Sequence, residues 1–232
     1  MKLIIDNLEK KFNDKHVIKG ASYIFEENKI YGLLGRNGAG KTTLFNILYK
    51  ELKNDGGEVY IADEGEKRDI DVVDVGMVFS ENFLPDFLTG YEFIKFIIDL
   101  NKDKENLPIN EYFSMMDIDE FDRHKLIKTY SHGMKSKLSL LVIYIKNPKI
   151  LLLDEPLTSV DVVSGAEIKK MFKLMKNNHI LVISTHMLEL AKEICDEIVL
   201  LNDGKLYSLE NLMRDEDFEE KIVEALKEKK DA

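Results

Sequence analysis

The sequence predicts an α/β fold, a mainly parallel sheet with helices on both faces. Three observations predict it. Apolar strand-like runs alternate along the chain with segments of helical spacing, the order that gives strand–helix–strand crossovers. A glycine-rich stretch, Gly35-Arg36-Asn37-Gly38-Ala39-Gly40-Lys41-Thr42-Thr43, lies between an apolar run at 30–34 and a helical opening at 44–48. A second apolar run, 149–153, passes directly into Asp154-Glu155-Pro156, as a buried strand does at the edge of a cleft.

Taken in order, residues 3–8 and 21–25 alternate enough to read as strands. Glu26-Glu27-Asn28-Lys29 is a polar turn before the strand at 30–34. A first helix runs from the glycine-rich stretch to about residue 50. Asn54-Asp55-Gly56-Gly57 is a turn, 58–61 a strand, and 71–79 another strand. From 80 to about 128 helical spacing dominates, as in Tyr91, Ile94 and Ile98, with a break at Leu107-Pro108-Ile109-Asn110; this reads as a helical unit inserted between strands. Residues 137–146 form an apolar helix, 149–153 a buried strand, 163–176 a helix, 179–184 a strand and 187–195 a helix. Short strands at 198–201 and 205–206 flank Asn202-Asp203-Gly204, and 215–230 is a charged helical tail. No internal repeat or low-complexity segment is present.

The chain has 232 residues, enough for a substantial core. Its 43 acidic residues outweigh 33 basic ones, a net charge of -10, which argues against nucleic acid as the partner. A single cysteine, Cys195, cannot form an internal disulfide and fits a reducing compartment. The N-terminus reaches Asp6 too soon for a signal peptide. The longest apolar run, 138–145, falls short of the ~20 residues of a membrane span. The expectation is a soluble, cytoplasmic chain whose membrane partner, if it has one, is a separate protein.

The glycine-rich stretch fits G-x-x-x-x-G-K-[ST], the P-loop, and its strand–loop–helix context is the one the motif needs. Gly35, Asn37, Gly38, Ala39 and Gly40 would bring backbone N–H groups onto phosphate oxygens, assisted by the positive end of the helix. Lys41 would reach the β- and γ-phosphates and Thr42 would ligate Mg²⁺, with Thr43 beside it. Asp154 and Glu155 end an apolar strand and look like a Walker B motif. Asp154 can hold Mg²⁺ through water, and Glu155 is placed to polarise an attacking water. Taken without the P-loop, the same two residues read equally as a strand ending in a polar turn. Ser131, in Tyr130-Ser131-His132-Gly133-Met134, reads by itself as an ordinary helix cap. Phe12 can be an adenine-stacking ring or a packed strand-end aromatic. His186 stands after a buried strand, where a lone histidine is commonly structural.

Together these segments resemble the ABC transporter ATPase over about residues 3–206. Tyr130-Ser131-His132-Gly133-Met134 resembles the family signature, commonly Leu-Ser-Gly-Gly-Gln. Ser131 and Gly133 are kept, and the Tyr-Ser-x-Gly-Met form is familiar among exporters. Leu157-Thr158-Ser159-Val160-Asp161 resembles the D-loop, with Asp161 in its acidic position. Ser184-Thr185-His186 resembles the switch histidine that contacts the γ-phosphate, and Phe12 the adenine-stacking aromatic. The resemblance implies a RecA-like core in a domain of residues 1–206, an antiparallel β subdomain, a helical subdomain at about 81–135, and a short charged tail at 207–232. It further implies ATP and Mg²⁺ as cofactors. Two ATPase chains, two copies or a copy and a paralogue, would pair head to tail. Each nucleotide would lie between one P-loop and the other chain's Ser131, Gly133 and Asp161. An integral-membrane transporter subunit would dock near Phe83-Leu84-Pro85-Asp86-Phe87-Leu88, placing the chain on the inner face of the cell membrane. The expected function is an ATP-hydrolysing transporter subunit, an exporter of peptide or drug. The alternatives are a soluble ABC-type ATPase and a nucleotide-dependent regulatory module with little turnover.

One departure bears on turnover. Where the family has a glutamine after the strand entering the helical subdomain, this sequence has Ser80, judged from the downstream Phe87-Leu88-Thr89.

Overall fold

The computed structural model describes residues 1–81, 83–209 and 220–222. β1 (Lys2–Phe12) and β2 (Lys15–Glu26) form a long antiparallel hairpin. Its turn places Asn13 at φ 49°, a left-handed conformation that asparagine tolerates better than most side chains. Both strands outrun the expected 3–8 and 21–25, because their polar ends hide the alternation that marks the middles. β4 (Gly56–Asp63) joins β1, and β5 (Glu66–Asp69) joins β4, giving the order β2-β1-β4-β5. β5 is Glu-Lys-Arg-Asp, wholly exposed, and carries no apolar residue that would announce a strand.

The second sheet has the order β10-β9-β3-β8-β7-β6. It contains β3 (Lys29–Leu34), β6 (Val75–Val78), β7 (Ile150–Asp154), β8 (Ile180–Ser184), β9 (Glu197–Asn202) and β10 (Lys205–Ser208). All neighbours are parallel except β9 and β10. The strand expected over 71–79 begins only at Val75. Asp71 accepts the Val73 N–H and the Asp71 N–H donates to Asp74, closing a 3₁₀ turn over Val72–Asp74. Arg68 then clamps both oxygens of Asp74, at 2.6 and 2.8 Å. Local side-chain bonds here defeat a valine-rich stretch that would otherwise extend.

The helices are α1 (Lys41–Leu48), α2 (Gly90–Leu100), α3 (Ile109–Met115), α4 (Glu120–Arg123), α5 (His132–Lys146), α6 (Val162–Met175) and α7 (Leu188–Ile194). A capping box of Thr89 and Glu92 opens α2, and Pro108 precedes α3. α5 starts before the expected 137, because the Ser131 hydroxyl accepts the Met134 N–H and caps it there.

Parallel strands buried on both faces read as continuous apolar runs. In β7, Leu151 and Leu153 join the cluster beneath α2, α3, α5, α6 and α7. Ile150 and Leu152 join the one beneath α1 and the antiparallel sheet. β8 splits likewise, Leu181 and Ile183 against Ile180 and Val182. One face of the parallel sheet is therefore covered by one helix and a second sheet, not by helices alone. The tail expected at 215–230 lies outside the described residues except for a helical fragment at 220–222, whose Ile222 is buried in the larger core.

Candidate functional site

In a parallel α/β sheet, ligands gather at the carboxyl ends of the strands. Here β8 lies between β3 and β7, so their three C-terminal ends stand side by side, with Ser184 in register with Leu33 on one flank and Asp154 on the other. β3 runs into the loop 35–40 and α1. Gly40 carries φ 108° at the helix start, and a Cβ there would come within 2.8 Å of Val17 Cγ1. Only glycine admits that close turn.

An open cleft of 480 Å³ is lined by Phe12, Asn37, Gly38, Gly40, Lys41, Thr42, Thr43, Asp154 and Glu155, together with Lys15, Val17 and Ser80. Lys41 is only 8 % exposed, and its ammonium donates to the Gly35 carbonyl at 2.8 Å. Ala39 N–H closes the loop on Arg36 O at 3.0 Å. The Thr42 hydroxyl donates to Asp154 Oδ2 at 3.1 Å, so two hard oxygen groups meet at the cleft floor. Such a pair suits a magnesium ion, which prefers few carboxylates and oxygen donors.

Glu155 adopts φ 50°, a left-handed conformation unusual for a non-glycine residue. Its N–H donates to Ser184 O and Oγ, both at 3.1 Å. Its carboxylate meets His186 Nδ1 at 2.8 Å and accepts from the Thr158 hydroxyl at 3.3 Å. His186 thus reaches the cleft through Glu155. Phe12, 44 % exposed, ends β1 at the cleft mouth. The Lys10 ammonium lies 5.3 Å from its ring centroid, held by Asp55 at 3.1 Å and the Lys53 carbonyl at 2.7 Å.

Ser131, Gly133 and Asp161 do not line this cleft; they form a separate group. A Cβ on Gly133 would meet Ser164 Oγ at 2.8 Å and Asp161 Oδ2 at 3.2 Å, so the start of α5 is pressed against the start of α6. Asp161 caps α6, accepting the N–H groups of Val163 and Ser164 at 3.0 Å. The Ser164 N–H in particular holds this carboxyl below the usual carboxylate range. Sequence reasoning missed Lys15, Val17 and Ser184. Asn13-Asp14 was a turn signal that would have folded Lys15 and Val17 back beside Phe12. The partners of Ser184 depend on strand order, which no local pattern carries.

Among the described residues, no helix is long and apolar enough to cross a membrane. The family model described as ABC transporter matches residues 18–158. An uncharacterized ABC transporter ATP-binding protein of Methanocaldococcus jannaschii is 33% identical over 213 residues, 88% of this chain and 75% of that protein. The bacitracin transport ATP-binding protein of Enterococcus faecalis is 28% identical over 211 residues, 89% of this chain and 68% of that one. The fold matches the dimeric structure of an ATP-binding cassette bound to ADP and Pi, with a TM-score of 0.73 at 24% identity, covering 89% of this chain and 98% of that one. The chain belongs to the ABC transporter family as an ATP-binding subunit, and it is an ATPase.

Proposed function

We propose that the cleft binds ATP with Mg²⁺ and hydrolyses it to power an exporter of peptide or drug. The observation that carries this reading is the meeting, in one cleft, of Phe12, Asn37, Gly38, residues 40–43, Asp154 and Glu155. Phe12 stacks on the base, and the loop's N–H groups hold the phosphates. Lys41 leaves the Gly35 carbonyl for the phosphate oxygens and stabilises the charge that develops there. Thr42 and Asp154 hold Mg²⁺, which when bound neutralises phosphate charge. Glu155 polarises the attacking water, and His186 and Thr158 orient its carboxylate.

Residues 1–206 then form the ATPase domain, with a helical subdomain at about 81–135 and a short tail after it. Ser131, Gly133 and Asp161 face the nucleotide of a second ATPase chain, head to tail. Their separation from this chain's own cleft and the dimer of the similar cassette support that pairing. An integral-membrane subunit docks at Phe83 and Phe87, whose rings are 77 % and 79 % exposed, and holds the chain at the inner face of the membrane. Export rather than import rests on the Tyr-Ser-x-Gly-Met signature, and the bacitracin transport relative supports a transport role.

Glu155→Gln tests the site. The amide keeps the shape and loses the charge, so MgATP binding should survive while turnover falls at least ~100-fold. Normal hydrolysis by this variant would remove Glu155 from the mechanism. Direction is tested in vesicles holding the chain with its membrane subunit: peptide should move away from the ATPase side, and movement toward it would make the system an importer.

A further inference from the structure

We infer that Ser184 is a positioning residue of the ATPase cleft, its hydroxyl setting the orientation of the Asp154 carboxylate and, with it, the cleft's response to Mg²⁺. Ser184 is 0 % exposed at the end of β8, after four apolar residues, Ile180, Leu181, Val182 and Ile183. A hydroxyl so deeply buried must be satisfied by the protein. Its partners are the two residues that carry the cleft's carboxylates. Ser184 Oγ donates to Asp154 Oδ1 and accepts the Glu155 N–H at 3.1 Å.

The donated bond has a directional effect. With Oδ1 engaged by Ser184 on the neighbouring strand, Oδ2 is the oxygen left for Thr42, from which it accepts at 3.1 Å. Without the hydroxyl, Oδ1 loses a charge-assisted partner and the carboxylate is free to turn. The accepted bond fastens the residue whose backbone is left-handed, Glu155. Groups behind metal-facing ligands commonly tune metal affinity about 10–100-fold without touching the ion. The inference rests on the reading that Thr42 and Asp154 face Mg²⁺.

The test is the affinity for a non-hydrolysable ATP analogue, adenylyl imidodiphosphate, measured by calorimetry in EDTA and in Mg²⁺. The wild-type chain should bind more tightly when Mg²⁺ is present. Ser184→Ala should lose about tenfold of that gain while its EDTA affinity stays within about twofold, because the loop's N–H groups do not depend on Ser184. Ser184→Thr, which keeps the hydroxyl, should restore the gain. Asp154→Asn should abolish it. If Asp154→Asn abolishes the gain and Ser184→Ala keeps it, the inference fails and the metal reading stands. If the wild type shows no gain, both fail. If Ser184→Ala weakens binding equally in EDTA and Mg²⁺, and its melting temperature falls with it, Ser184 is only structural and the inference is overturned.

Discussion

At the scale of single residues, burial decides which groups are reactive. Cys195 packs against Gly32, its thiol lying 3.0 Å from where a Cβ on that glycine would stand, and burial pushes the thiol up to about 12. Thiolate is therefore scarce in the folded chain, and Ellman's reagent at pH 8 should label Cys195 only as fast as the protein opens; rapid full labelling would contradict this burial. Burial likewise raises the phenols of Tyr31 and Tyr130 to about 12. All three groups bind a proton more tightly folded than unfolded. Their contribution is fully present below the unfolded values, 9.0 for the thiol and 10.0 for the phenols, and is lost as pH rises toward 12. The melting temperature should thus decline from about pH 9 upward. Individual residues were also where the sequence was most legible. Lys41, Thr42, Asp154 and Glu155 stand at positions tied to a motif, and all four line one cleft. Ser184 was not legible in that way, because its meaning lies in the strand beside it.

At the scale of elements, segments whose apolar pattern follows their own burial were readable, as β7, β8 and α6 were. Segments governed by local polar bonds were not, as the 3₁₀ turn at Val72–Asp74 shows. The wholly charged β5 was invisible, since its only reason to extend is the partner β4. The link from β6 to the helices illustrates how an element end tunes chemistry. Ser80 lines the cleft with Thr42, Asp154 and Glu155, while Glu81 lines a different hollow with Phe79 and Phe83. Ser80 and Glu81 thus line different hollows, which leaves Ser80 rather than Glu81 beside Thr42 and Asp154. Serine is too short to contact both metal and water directly and needs a bridging water. Ser80→Gln should raise the basal ATPase rate of the isolated chain by about tenfold with little change in nucleotide affinity. A lower rate would mean that the segment is built around serine.

At the scale of the whole molecule, the proposed assembly makes two claims that the isolated chain cannot satisfy. Phe87 and Phe83, the latter edge-on to Phe79 at 5.8 Å, are large side chains that stay mostly exposed, an arrangement that an interface relieves. Phe87→Asp should leave ATP binding intact and abolish co-purification with the membrane subunit; because the ring is exposed, the melting temperature should hold, and a collapse of it would place Phe87 in the core. The head-to-tail claim is tested by mixing two inactive chains, Ser131→Arg and Lys41→Ala. One of the two composite sites is then intact, and partial ATPase activity should return. No recovery at any ratio would argue against pairing in trans. Assembly also requires that chains avoid meeting in the wrong way. The antiparallel sheet ends in β5, whose unpaired backbone edge would be a template for another molecule's strand. Every side chain along it is charged, Glu66, Lys67, Arg68 and Asp69, all exposed. A neighbouring strand docking there would have to set its own side chains beside this charged row. The charge that hides β5 as a strand in the sequence thus disfavours edge-to-edge pairing between copies of the antiparallel sheet.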